Sequence, residues 1–204
     1  MLDRYAIKIL KYPLSRCASM LNSAGVKADQ VTIISFVIGL GALPALYLHC
    51  YGCALLCIVV NRIGDGIDGT LARMTQVSDG GGFLDIVLDF IFYASVVLGF
   101  ALADPIQNGP AASLLLFSFI GTGSSFLAFA VMAERRGIEN ITYAHKGIYY
   151  LEGLTEATET ITCFVLFCLF PDMFPVIAYI FAALCLVTTT TRVVGGYLSL
   201  KWGQ

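Results

Sequence analysis

Long apolar stretches, separated by short polar or turn-forming segments, constrain this chain more than any other feature of its sequence. A helix needs about 20 mostly apolar residues to cross the hydrocarbon core of a bilayer. Six stretches approach or exceed this length: 31–49, 51–73, 82–103, 111–133, 154–170 and 176–200. They predict an all-α fold, a polytopic membrane bundle of six transmembrane helices within residues 31–200. No linker that would separate a second domain is visible, so we expect one membrane domain over residues 1–204.

Composition agrees with a membrane protein and excludes several other classes. Hydrophobic residues make up 58% of the 204 positions and charged residues only 13%, whereas about 25% of a soluble domain is charged. So few charges cannot cover a soluble core with this much apolar surface, which excludes a disordered chain and an ordinary water-soluble enzyme. The formal net charge of −2 argues against a nucleic-acid partner, because binding to phosphates needs a basic surface.

The basic residues predict the orientation in the membrane. All twelve Lys and Arg residues fall outside the three connections that would lie on the side opposite the termini. By the positive-inside rule, both termini and the active site face the cytoplasm, and we expect a bacterial inner membrane. Residues 1–24 place apolar side chains among basic ones, which predicts a short juxtamembrane amphipathic helix with a break near Pro13. A simple juxtamembrane tail is the alternative.

Four aspartates give the main indication of chemistry. Asp65 and Asp68 lie about one turn apart on the second predicted helix, and Asp85 and Asp89 lie one turn apart on the third. Because a short turn makes these helices antiparallel neighbours, all four carboxylates can converge on one cavity. An acidic residue costs about 2.5–3.5 kcal/mol at the centre of a spanning helix, so such a set requires compensation.

Divalent cations compensate a carboxylate set best. Oxygen ligands without His or Cys favour hard ions, and four carboxylates are enough for a pair of ions at the separation used for displacement at phosphorus. The sequence therefore predicts two Mg²⁺ or Mn²⁺ ions as cofactor. The main alternative is a divalent-cation transporter, which would distribute charges along a path through both halves of the membrane. The aspartates instead cluster in one half, which argues against such a path.

Small residues and one arginine accompany the aspartates. Gly69 and Ala72 share the carboxylate face of the second predicted helix. Close helix packing is one interpretation of small residues in a membrane helix. Because Arg73 follows directly, we prefer the approach of a ligand to the backbone, since arginine is suited to phosphate oxygens. Arg73 would also fit the role of a positive-inside anchor.

These residues resemble the signature of a known enzyme family. The pattern is Asp65-x2-Asp68-Gly69-x2-Ala72-Arg73-x7-Gly81-x3-Asp85-x3-Asp89. Its eight defined positions and their spacing are similar to those of the CDP-alcohol phosphotransferases. Thr32 also resembles a threonine often found at the start of the first helix in this family. Ala28 and Asp29 stand where the family usually has Pro-Asn, which departs from the pattern.

The resemblance implies an activity and a set of roles. It implies a CDP-alcohol phosphatidyltransferase that transfers a phosphatidyl or similar phosphoalcohol group from a CDP-linked lipid donor, expected to be CDP-diacylglycerol, to a small acceptor alcohol. CMP is released in this step of phospholipid biosynthesis, and a homodimer is the implied assembly. The implied metal ligands are Asp65, Asp68, Asp85 and Asp89, and Asp89 is also the implied catalytic base. The implied CDP site consists of Asp68, Gly69, Ala72, Arg73, Gly81 and Thr32.

Charges outside the motif are candidates for the acceptor pocket. Glu152, Glu156 and Glu159 follow one helical stripe at the start of the fifth predicted span, and Arg192 lies near the end of the sixth. One interpretation pairs Arg62 and Arg192 with these glutamates to hold the bundle together. The other places Glu152, Glu156 and Arg192 in the acceptor pocket. An acidic stripe would favour an amine-bearing alcohol there, and an arginine-dominated pocket would favour a phosphorylated one. Because glutamates outnumber arginines among these residues, the sequence favours an amine-bearing alcohol.

The expected reaction is a direct displacement assisted by two metal ions. No Ser, Cys or His lies in an arrangement suited to a nucleophile in this sequence. We therefore expect transfer without a covalent enzyme intermediate.

Overall fold

The computed structural model describes residues 3–137 and 155–202, and every regular element within these two ranges is a helix. The elements in chain order are α1 (Asp3–Ser23), α2 (Ala28–Leu40), α3 (Ala42–Tyr47), α4 (Tyr51–Met74), α5 (Asp79–Ala103), α6 (Gly109–Arg135), α7 (Ala157–Leu169), a 3-10 helix (Pro171–Met173) and α8 (Phe174–Trp202). The predicted all-α fold is confirmed for this part of the chain.

Among the described residues, four helical segments are long and apolar enough to cross a membrane. They are Ala28–Tyr47, Asp79–Ala103, Gly109–Arg135 and Pro171–Trp202. The other two predicted spans correspond to α4, whose second half carries several charges, and to α7, which has 13 residues. The arrangement of six transmembrane helices therefore stays a prediction.

The first predicted span is interrupted at Gly41, the single residue between the end of α2 at Leu40 and the start of α3 at Ala42. Pro44 accounts for the interruption. It has no N–H to donate to the carbonyl of Leu40, and its ring would collide with that carbonyl in a continuous helix. The predicted span over 31–49 nevertheless corresponds to one of the four candidate membrane spans, Ala28–Tyr47.

The N-terminal helix α1 continues through Pro13, so the predicted break at that position is wrong. The loss of one backbone N–H there does not end the helix. α1 packs against α4, where a Cβ on Gly66 would lie 2.9 Å from Cδ1 of Leu14. Its predicted position on the surface of the membrane stays a prediction.

Aromatic side chains fill the end of the bundle that contains the first half of α4 and the second half of α5. Phe92, Phe100, Phe164, Phe167 and Phe174 are among the largest fully buried side chains. The rings of Phe100 and Phe174 stack with centroids 4.6 Å apart, and Phe167 meets Phe174 edge-on at 4.7 Å. Close packing of this kind is rigid, so it fixes how α4 and α5 cross and where their opposite ends lie.

A close approach between α2 and α4 brings the start of α2 to those opposite ends. A Cβ on Gly64 of α4 would overlap the side chain of Ser35 in α2, so only glycine fits at this contact. Asn61 Nδ2 donates a hydrogen bond of 3.0 Å to the backbone oxygen of Ser35. Small residues allow membrane helices to approach in this way.

Candidate active site

The turn between α4 and α5 sets the register of the two helices that carry the aspartates. Ser78 is the N-cap of α5, and its Oγ accepts a hydrogen bond of 3.0 Å from the backbone N–H of Gly81. An N-cap of this kind satisfies one of the free donors of the first turn and fixes where the helix begins. The acidic second half of α4 consequently faces the acidic first half of α5.

Three aspartates form a carboxylate cluster at this interface. Asp65, Asp68 and Asp85 each offer one oxygen, and these oxygens lie within 4.8 Å of one another. The side chain of Asp68 is buried, and its Oδ2 has no hydrogen-bond partner among the described residues. A buried polar atom without a partner costs roughly 1–3 kcal/mol. An all-oxygen set with such an unsatisfied atom fits a hard divalent cation.

The cluster lies in a pocket of about 220 Å³, a volume that includes space open to solvent. Residues of α2, α4 and α5 line it: Thr32, Ser35, Phe36, Asn61, Arg62, Asp65, Asp68, Asp85, Leu88 and Asp89. The four predicted aspartates therefore meet in one place, together with Thr32. The hydroxyl of Thr32 lies beside the carboxylate of Asp68, so α2 also contributes to the site.

Asp89 differs from the other three aspartates because Arg62 binds its carboxylate. Nη2 of Arg62 donates to Oδ1 at 2.5 Å, and Nη1 donates to Oδ2 at 3.4 Å. Nη1 also lies 3.6 Å from Oδ2 of Asp65. The interpretation that pairs Arg62 with the glutamates of the fifth span is therefore corrected. The sequence held a signal only for the Arg62–Asp65 contact, because Arg62 precedes Asp65 by three residues and so shares its face of α4.

The remaining motif residues are not among those that line the pocket. Arg73 is exposed near the end of α4, and a Cβ on Gly69 would lie 3.4 Å from its Nη1. Ala72 is partly buried on the same helix. At the start of α5, a Cβ on Gly81 would lie 3.0 Å from Oδ1 of Asp29. The small residues thus leave backbone accessible beside an arginine, an arrangement that can receive a phosphate group.

The residues predicted for the acceptor pocket are only partly described. Glu152 lies outside the described residues, and Glu156 is the N-cap of α7. Arg192 in α8 donates from Nη1 to the backbone oxygen of Thr122 at 3.3 Å, and its Cζ lies 5.6 Å from the ring centroid of Phe126. Its Nε is buried with no partner among the described residues. Glu156 is close enough to attract Arg192 electrostatically, and neither residue lines the pocket of the aspartates.

Fold and site together define a class: an all-helical integral membrane protein with a carboxylate cluster that can hold a divalent cation. The model of the CDP-alcohol phosphatidyltransferase family matches residues 26–191 of the chain. The chain therefore belongs to the CDP-alcohol phosphatidyltransferase family, whose members are transferases of phospholipid biosynthesis. The resemblance of its aspartate motif to this family is confirmed.

Individual relatives agree with this assignment. The chain is 55% identical over 201 residues to inner membrane protein YnjF of Escherichia coli, with 98% of both chains covered. It is 33% identical over 147 residues to archaetidylinositol phosphate synthase of Pyrococcus horikoshii, covering 66% of this chain and 78% of that one. Its fold is similar to phosphatidylinositol phosphate synthase of Mycobacterium tuberculosis with CDP-DAG bound. That match has a TM-score of 0.66 and 18% identity and covers 90% of this chain and 93% of the other.

Proposed function

We propose that this protein transfers a phosphatidyl group from CDP-diacylglycerol to a small alcohol and releases CMP. The observation that carries the proposal is the cluster of Asp65, Asp68 and Asp85, with its unsatisfied buried oxygen, inside a pocket of three helices. The CDP-DAG bound to the Mycobacterium tuberculosis synthase, whose fold is similar, supports this choice of donor.

The carboxylates of Asp65, Asp68, Asp85 and Asp89, which line one pocket, would hold two Mg²⁺ or Mn²⁺ ions. Bound there, the ions would supply positive charge to the diphosphate of the donor and to the departing CMP. The donor set contains only oxygen atoms, which suits both of these hard cations.

The donor would lie along the ends of α4 and α5. Gly69, Ala72 and Gly81 leave the backbone open to it, and Arg73 provides a guanidinium for phosphate oxygens. Thr32, beside Asp68, extends this surface onto α2.

The transfer would be a direct displacement. The acceptor oxygen forms a bond to the lipid-linked phosphorus while the bond from that phosphorus to the bridging oxygen breaks, and CMP leaves with the bridging oxygen. The proton of the acceptor hydroxyl goes to a carboxylate oxygen of Asp89, which lines the same pocket as the cluster. The described lining of the pocket contains two hydroxyl side chains, those of Thr32 and Ser35, and no histidine beside them to activate either as a nucleophile.

For the acceptor pocket we propose Glu152, Glu156 and Arg192. The charges of this pocket bear on the acceptor, and our proposal departs here from the amine-bearing alcohol that the sequence favours. Glu156 attracts Arg192, yet the buried Nε of Arg192 keeps a donor without a partner among the described residues. A spare guanidinium donor favours an acceptor that carries an oxyanion, so we place phosphorylated alcohols ahead of amine-bearing ones. We further propose a single domain, a homodimer, and a pocket that opens to the cytoplasm.

The test is CMP release by the purified protein in lipid nanodiscs containing CDP-diacylglycerol. Mg²⁺ and a panel of alcohols are added, including glycerol phosphate, inositol phosphate, serine, ethanolamine and choline. We expect CMP release with a phosphorylated acceptor, loss of release with EDTA, and unchanged release by the Arg136→Gln variant, whose side chain is exposed just after α6. No release with any alcohol, together with Mn²⁺ uptake into proteoliposomes, would instead identify a divalent-cation transporter.

A further inference from the structure

Two cysteines lie at the end of α4 that is remote from the aspartates, and the proposed function assigns them no role. Cys50 is the N-cap of α4, and Cys53 follows in its first turn. Both residues are exposed. Asp65 lies about four turns further along the same helix, a distance of about 22 Å along its axis. The two cysteines are therefore separate from the carboxylate cluster.

The thiols of these two cysteines are in contact. Their Sγ atoms lie 2.7 Å apart. Residues three apart share one face of a helix, which is why the side chains of Cys50 and Cys53 meet at the first turn of α4. A disulfide bond is about 2.05 Å long, so the two sulfur atoms need only a small displacement to become bonded.

The turn before α4 fixes the position of Cys50. Its backbone N–H donates to the carbonyl oxygen of Ala45 at 2.8 Å. His49, with a φ of 56°, supplies the left-handed residue that such a helix-ending turn requires. The ring of Tyr51 stacks on that of Phe100 with centroids 6.0 Å apart, which attaches the start of α4 to the aromatic core. The two thiols are thus held side by side by the backbone on both sides of Cys50.

Redox chemistry suits this pair of thiols better than metal binding. A structural zinc site is closed by four nitrogen, sulfur or oxygen ligands. Within residues 3–137 and 155–202, the only group of three or more candidate metal ligands is that of Asp65, Asp68 and Asp85. The neighbouring imidazole, that of His49, directs Nδ1 to the hydroxyl of Tyr51 at 3.0 Å. Two adjacent thiols are sufficient, by contrast, for the exchange of a disulfide.

The two thiols have different environments, and Cys50 is the better nucleophile. Contact with the thiol of Cys53 lowers the pKa of Cys50. The N-terminus of a helix, where Cys50 lies, also stabilises a thiolate. The thiolate is the attacking species in thiol–disulfide exchange. Cys50 therefore suits the first attack, and Cys53 is within reach to complete the exchange.

We propose that Cys50 and Cys53 form a thiol–disulfide exchange site at the end of α4 opposite the aspartate pocket, and that its substrate is a disulfide of another molecule. The thiolate of Cys50 attacks one sulfur of that disulfide, so a mixed disulfide forms and the other sulfur leaves as a thiolate. The thiolate of Cys53 then attacks Sγ of Cys50 and releases the second sulfur of the substrate. The two cysteine protons go to the two leaving thiolates. The cysteines are oxidised to one disulfide, and the substrate is reduced to two thiols.

The compartment of the exchange site rests on the proposed function, in which the aspartate pocket opens to the cytoplasm. α4 is the second predicted span, so its opposite end then lies outside the cytoplasm. Disulfides form and persist there, whereas cytosolic thiols are kept reduced. The chemistry of the two thiols does not depend on this orientation, because it follows from their contact alone.

The experiment incubates the reduced full-length protein in detergent with oxidised glutathione and maps its thiols by peptide mass spectrometry. Wild-type protein should end with Cys50 linked to Cys53 and with no glutathione on either. Cys53→Ser should accumulate glutathione on Cys50, because the second attack is missing. Cys50→Ser should acquire glutathione on Cys53 about tenfold more slowly. Cys17→Ser, which removes an exposed cysteine of α1, is the matched control and should form the disulfide at the wild-type rate.

Wild-type protein that keeps both thiols free, or that carries glutathione on them without a link between them, would overturn the proposal. Equal rates of adduct formation in the two single variants would overturn the assignment of Cys50 as the attacking thiol.

The compartment is tested in bacterial spheroplasts that express the protein. After reduction, a membrane-impermeant maleimide should label Cys50 and Cys53 and leave Cys17 unlabelled; the reverse pattern would overturn the placement outside the cytoplasm. Neither experiment measures CMP release. A protein that forms the disulfide but releases no CMP with any alcohol would therefore contradict the proposed function and leave the exchange site supported.

Discussion

Replacing Asp68 with Asn should stabilise the metal-free protein and remove most of its response to divalent cations. The oxygens of the cluster lie within 4.8 Å of one another, and two unit charges at that separation repel by about 3 kcal/mol at an effective dielectric constant near 20. Water and partial protonation relieve part of this repulsion, so we expect a gain in the free energy of unfolding of about 1–3 kcal/mol. For a chain of this size, that gain corresponds to a rise in Tm of roughly 2–12 °C.

The assay is thermal unfolding in detergent, followed by far-ultraviolet circular dichroism, first with EDTA and then with excess Mg²⁺. At a ligand concentration of 100 times Kd, binding stabilises a protein by about 2.7 kcal/mol. Excess Mg²⁺ should raise the free energy of unfolding of the wild-type protein by about this amount. It should raise that of the Asp68→Asn variant much less. Glu134→Gln is the matched control, because it removes an exposed carboxylate near the end of α6. It should leave both the stability in EDTA and the stabilisation by Mg²⁺ almost unchanged.

The reasoning would be refuted by an Asp68→Asn variant that is less stable than wild type in EDTA and equally stabilised by Mg²⁺. Such a result would mean that the buried carboxylate of Asp68 has a structural partner and that the cations bind elsewhere.

Three further predictions follow from the same geometry. Asp89→Asn should abolish CMP release while CDP-diacylglycerol still binds in equilibrium binding assays; a variant that stays active would remove Asp89 as the base. Gly81→Ala should raise the KM for the donor severalfold, since the added Cβ would lie 3.0 Å from Oδ1 of Asp29. Gly82→Ala is the control and should leave the KM unchanged, because its Cβ would meet no heavy atom within 4 Å. Equal effects of the two substitutions would argue against a crowded donor site. Gly64→Ala should lower the free energy of unfolding by about 1–3 kcal/mol in thermal unfolding through overpacking. Gly52→Ala, whose Cβ meets nothing within 4 Å, is its control. An unchanged Tm of Gly64→Ala would show that α2 can move aside.

The sequence predicts the convergence of the aspartates well because two local rules are enough. Residues three or four apart share one face of a helix, and a short turn makes consecutive helices antiparallel neighbours. Asp65 and Asp68 must therefore face the next helix if Asp85 does, and the pocket brings all of them together. The cost of burying carboxylates adds the expectation of a cation, since Oδ2 of Asp68 has no hydrogen-bond partner among the described residues.

The partner of Arg62 could not be derived in the same way. Its contact with Asp89 joins residues that are 27 positions apart, and the choice between aspartates and glutamates depends on how far α5 is shifted along α4. Aromatic packing of residues such as Phe92 determines that shift, and periodicity does not report it. The break before Pro44 was readable from the sequence, because proline excludes the preceding turn of a helix, whereas α1 shows that the same residue type at Pro13 does not always end one.

The distribution of polar and aromatic residues along α4 and α5 also bears on the choice between transferase and transporter. An ion that crosses the membrane needs polar side chains along its whole path. The aspartates occupy one end of these helices, and beyond Arg62 the described part of the bundle is filled by Phe92, Phe100, Phe164 and Phe167, each 0–1% exposed. These phenylalanine rings would block an ion path through the bundle one or two helical turns from the cluster. We therefore expect a cation that enters this pocket to leave by the side from which it came.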